Sequence, residues 1–146
     1  MIDIVIADKS WRKPGLAARL EAAATLALKQ QKKPKANLTL LLADDTRLKE
    51  LNRTFRGKNK PTNVLSFPSG ERGYLGDVAL AYGVTTREAK SGKKTLADHA
   101  SHLVVHGVLH LLGYDHETDR DAKAMEPLEA KILAKLGISD PYALEA

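Results

Sequence analysis

The sequence contains no cysteine, which removes disulfides, thiolate metal ligands and thiol nucleophiles together. Any bound metal must therefore rest on histidines or oxygen donors. Aromatic residues make up 5% of the chain, with one Trp and two Phe, so long rows of stacking rings for nucleic acid are not expected. Long apolar runs are absent as well. The amino terminus, Met1-Ile2-Asp3-Ile4-Val5-Ile6-Ala7-Asp8, places acidic residues around an apolar run too short for a signal peptide or a membrane span. The expectation is an intracellular, cytoplasmic protein without a membrane partner. No internal repeat, low-complexity segment or linker interrupts it.

What is present suits one globular domain, residues 1–146, with 43% hydrophobic and 28% charged residues. The net charge of +5 and pI near 9.4 fit a domain that meets nucleic acid, but 23 basic residues against 18 acidic ones make a weak signal. Placement matters more. Basic residues cluster at Arg53, Arg56, Lys58 and Lys60 and again at Arg87, Lys90, Lys93 and Lys94.

Apolar patterning predicts four short strands: Ile2–Ala7, Ala36–Ala43, Val64–Phe67 and Leu75–Ala81. Pro68-Ser69-Gly70 reads as a stop after the third, leaving a hairpin with a long loop. Helical spacing of Leu and Ala predicts a helix over Gly15–Gln31. Asp44 or Asp45 caps a second, running to about Phe55. Thr85 or Thr86 precedes a short polar helix, and Thr95 caps a long one over Leu96–Leu112. A last amphipathic helix spans Thr118–Leu136, its inner side carried by Met125, Leu128, Ile132 and Leu133 among others.

The chemistry concentrates in His106-Gly107-Val108-Leu109-His110-Leu111-Leu112-Gly113-Tyr114-Asp115-His116. A spacing of four places His106 and His110 on one helix face a turn apart. Gly113 suits the left-handed residue that ends a helix and turns the chain back, which can bring His116 round as a third ligand. Three imidazoles with an open fourth position is a catalytic zinc arrangement, one ion per chain. A lone histidine in an apolar helix is more often a packed one, but three with a turn-forming glycine point to metal. His99 and His102 lie on the same stripe and suit supporting, substrate-facing or surface roles. The run has the spacing of the long zincin motif H-E-x-x-H-x-x-G-x-x-H, with Gly107 in place of the glutamate that serves as general base in metalloproteases. Asp115 reads as a turn former before a base.

The histidine run, the segment Arg56–Pro68 and Leu75-Gly76-Asp77 together resemble the YbeY family of bacterial rRNA maturation endoribonucleases, over nearly the whole chain. The resemblance implies an α/β domain with a small mixed sheet of about four strands surrounded by helices. It places a zinc ion on His106, His110 and His116, at the end of a long central helix, and a functional arginine at Arg56 beside the metal. The loop Ser69–Tyr74 is short for the family. The function implied is zinc-dependent, single-strand-specific cleavage of RNA in rRNA maturation, 16S rRNA 3′-end processing included, and ribosome quality control. RNA and the small ribosomal subunit or its proteins are the partners implied. An arginine fork matches phosphate bidentately, which fits Arg56 as phosphate binder and transition-state stabiliser. The alternatives are a metalloprotease-like hydrolase, weakened by Gly107, and a non-catalytic ribosome-binding factor with structural zinc, weakened by the open three-ligand site.

Overall fold

In the computed structural model, which describes residues 1–114 and 119–142, the strands are β1 (Ile2–Ile6), β2 (Asn37–Ala43), β3 (Val64–Glu71) and β4 (Tyr74–Ala81). They form one mixed sheet in the order β1-β2-β4-β3. β1 and β4 flank β2 in parallel, and β3 runs antiparallel to β4 on the edge. The helices are α1 (Leu16–Gln30), α2 (Asp45–Arg56), α3 (Tyr82–Ser91), α4 (Leu96–Leu111) and α5 (Asp119–Lys135). The expected small α/β fold with about four strands is the one observed.

Alternation along the strands divides the interior. Leu38, Leu40 and Leu42 of β2 and Val78 and Leu80 of β4 point to one face, where α1, α4 and α5 build the main core on them. Leu41, Ala43, Ala79 and Ala81 point the other way, where α2 covers part of the sheet through Leu48 and Leu51. Trp11, in a single 3₁₀ turn after β1, is fully buried and donates from its indole nitrogen to Ala43 O at 2.8 Å.

Two boundaries differ from the sequence reading. The Pro68-Ser69-Gly70 stop is instead an irregularity inside β3: the register with β4 shifts between Pro68 and Glu71, and the connection to β4 is short. Proline is tolerated because β3 is an edge strand, and Pro68 sits opposite Gly76, where an added Cβ would lie 2.1 Å from Phe67 O. The third helix begins at Tyr82, directly after β4, with Ala81 rather than a threonine at its cap. Its end is satisfied from a distance: Asp45 of α2 accepts from Val84 N at 2.9 Å and from Arg87 at 3.0 Å. No local sequence signal shows such a cap.

Candidate metal centre and catalytic cleft

The long helix α4 is fixed at both ends. The Thr95 hydroxyl accepts from Asp98 N at 3.1 Å. At the other end Gly113, at φ 102°, closes the helix with paired bonds from Gly113 N to His110 O and Tyr114 N to Leu109 O, both 3.0 Å. This is the Schellman arrangement that turns a chain sharply at a helix end. Between these caps Val104, Val105, Val108 and Leu109 are buried, and the histidines form a partly exposed stripe.

His106 and His110 bring their Nε2 atoms to 3.1 Å. Two nitrogens on one tetrahedral zinc, at about 2.0–2.1 Å each, would stand about 3.3 Å apart. The pair therefore fits two corners of such a site. His116, the third expected ligand, and Asp115 lie outside the described residues. Among the described residues no group of three histidine, cysteine or acidic side chains stands together as a metal cage.

A buried carboxylate organises the stripe from behind. Glu129 of α5 is fully buried and places Oε1 2.8 Å from His106 Nδ1 and 3.2 Å from His102 Nε2. The Tyr142 hydroxyl donates to its other oxygen at 2.7 Å. Burial alone raises a carboxyl pKa, yet the hydrogen bonds from His102, His106 and Tyr142 outweigh it and bring Glu129 down to about 2. An ionised carboxylate only accepts, so His106 Nδ1 carries the proton and its Nε2 lone pair faces His110. A carboxylate behind a ligating imidazole is the usual support that sets tautomer and ring orientation at a zinc site. Burial first, then the hydrogen bond to Glu129 and its charge, raise the Tyr142 phenol. His99 is placed apart, its Nε2 2.9 Å from Glu88 of α3.

Glu129 is the residue that sequence reading passed over. Its signal was position: it falls four after Met125 and three before Ile132, both buried, so a charge interrupts an otherwise apolar stripe.

Gly107 faces the sheet. A Cβ there would lie 2.5 Å from Val78 Cγ1, and the Ser66 hydroxyl donates to Gly107 O at 3.0 Å. Helix and sheet thus touch where a protease would need its glutamate, and a side chain of that size has no room.

Arg56 is the last residue of α2, which Gly57 stops in a left-handed conformation at φ 69°. Its guanidinium donates to Ser66 O at 3.3 Å, so Ser66 ties the arginine, β3 and α4 together. Buried Asn52 pins the following basic loop by donating to Lys60 O at 3.0 Å. Arg56, Lys58 and Lys60 then share a cleft of about 280 Å³ with His106 and His110. Three cations beside two convergent imidazoles make a site for an anionic, phosphate-bearing ligand.

Comparison with known proteins decides the family. The model of endoribonuclease YbeY matches residues 5–137. The chain belongs to the endoribonuclease YbeY family. It is 46% identical to endoribonuclease YbeY of Jannaschia sp. strain CCS1, covering 97% of this chain and 99% of that protein. It is also 46% identical to endoribonuclease YbeY of Azorhizobium caulinodans, covering 99% and 98%. The solution structure of TM1509 from Thermotoga maritima superposes with a TM-score of 0.69 at 27% identity, covering 99% of this chain and all of that one. The matched residues 5–137 include His106, His110 and Arg56.

Proposed function

We propose that the chain is one catalytic domain, residues 1–146, and a zinc-dependent, single-strand-specific endoribonuclease. Its work is rRNA maturation, including the 16S rRNA 3′ end, and ribosome quality control in the cytoplasm. Membership of an endoribonuclease family supports the reaction. The observation that carries the site is the convergence of His106 and His110 at 3.1 Å in a cleft shared with Arg56. None of the helices among the described residues is long and apolar enough to cross a membrane.

His106, His110 and His116 would hold one zinc ion. Bound there, it supplies Lewis acidity and an activated water to phosphodiester cleavage. The chain's own residues do the rest. Glu129 keeps the proton on His106 Nδ1 and the lone pair forward. Arg56, in the same cleft, binds the non-bridging phosphate oxygens and holds the extra negative charge that develops on them. Lys58 and Lys60 attract the flanking phosphates. The small ribosomal subunit or its proteins would deliver the substrate, because phosphate contacts carry little sequence information.

Cleavage of single-stranded RNA by metal-loaded protein, abolished by chelator and restored by zinc, is the expected result. His110→Ala should lose the metal on elemental analysis and the cleavage with it. Full metal retention in that variant would remove His110 from the ligand set, and casein hydrolysis without RNA cleavage would return the protease alternative.

A further inference from the structure

The sheet face turned away from α4 is covered by α2 only in part. Beside that helix lies a second hollow, of about 810 Å³, within the roughly 300–1,000 Å³ of small-ligand sites. Arg56 and Ser66 line both this hollow and the cleft of the histidine pair, so the two adjoin. Its apolar lining includes Leu41, Ala79, Phe55 and Phe67. The chain has two phenylalanines, and both are here, with ring centroids 5.3 Å apart at 61°. Phe55 is 65% exposed, on a helix whose other outward residues are polar. Folding gains little from it there.

We propose that this hollow receives an unpaired nucleobase of the RNA strand, stacked on Phe55, while the adjoining phosphate is held by Arg56. The inference rests on the endoribonuclease reading and adds a subsite to it. Charge distribution decides which part of a nucleotide enters. The apolar lining and the Asp77 carboxylate, beside Thr39, disfavour a phosphate and suit a flat, uncharged ring with polar edges. Arg47 and Arg56 also line the hollow, and their guanidinium groups hold the phosphates on either side of the stacked base. Stacking accepts every base, so the site selects strand state rather than sequence: a base inside a duplex cannot leave its partner without an unpairing penalty. Both phenylalanines of the chain thus line the hollow that adjoins Arg56.

The test compares two RNA ligands on the full-length, metal-loaded protein. One is a short, non-cleavable 2′-O-methyl phosphorothioate single strand; the other is the same strand with abasic positions throughout. Phe55→Ala should weaken binding of the intact strand roughly 5- to 150-fold, the range for one lost base stack. It should leave the abasic strand and the melting temperature unchanged, and Phe55→Trp should restore affinity. If Phe55→Ala binds both strands as the parent does, the subsite is overturned while the ribonuclease reading stands, and the hollow belongs to another partner such as a protein segment. If the parent protein binds neither strand, both readings fall.

Discussion

The two faces of the sheet are built from the same strands and do opposite work. Toward α1, α4 and α5, Leu38, Leu40, Leu42, Val78 and Leu80 are all at 0% exposure. Their immediate neighbours Thr39, Leu41 and Asp77 turn to the other face and stay partly open. A period of two is enough to separate them. Most of the burial that holds the fold lies on the first face, and the same packing fixes α4 and its histidines. The second face gives up coverage and keeps a hollow that meets Arg56. Stability and ligand access are therefore separable in this chain by single-residue steps along one strand.

That separation can be broken by substitution, taking effects on stability from largest to smallest. Leu40→Ala should destabilise by about 2–5 kcal/mol, the range for large-to-small core changes, while Leu41→Ala should stay near or below about 1 kcal/mol. Urea unfolding of both variants measures the contrast, and equal losses would erase the distinction between faces. Gly107→Ala should cost about 1–3 kcal/mol by pushing α4 off β4. Adding Val78→Ala should show coupling in a double-mutant cycle, since the clash is between those two positions.

Glu129→Gln should lower metal affinity about 10- to 100-fold, as loss of an outer partner does, with the histidine pair still in place. It should also alter acid stability. A carboxyl depressed in the fold to about 2 from 4.5 stabilises at pH above its unfolded value and loses that contribution as pH falls from 4.5 through about 2. The variant's acid-unfolding curve should be flatter across that window; an unchanged curve would mean Glu129 is not held ionised. The smallest effect on the fold belongs to Arg56→Ala, within about 0.5 kcal/mol. RNA cleavage should nonetheless be largely lost with metal content intact, and Arg56→Lys should rescue only part. An unfolded Arg56→Ala would make the arginine a structural tie to Ser66 instead.

Local signals carried much of this. The spacing of His106 and His110, the Gly113 turn, the Thr95 cap and the four strands are each decided within a few residues, so they can be read one after another along the chain. What escaped reading depends on residues meeting across the fold. Glu129 looks like any solvated helix glutamate until α5 is laid against α4. By sequence Asp45 is a possible cap of its own helix, while its side chain caps the start of another. Pro68 signalled a stop, and only the position of β3 at the sheet edge makes it a bend. Phe55 and Phe67 are twelve residues apart, in different elements, and nothing local says that their rings touch.

Pro68 also bears on how the chain behaves in a crowd. β3 is an exposed sheet edge, and edges with regular rows of free amides and carbonyls invite pairing with other molecules. Proline withholds one amide there, and the register break that follows it bends the row out of line. The strand beside the cleft is thereby a poor template for intermolecular β-pairing, and Pro68→Val would be expected to raise the tendency to self-associate at high concentration, which light scattering would detect.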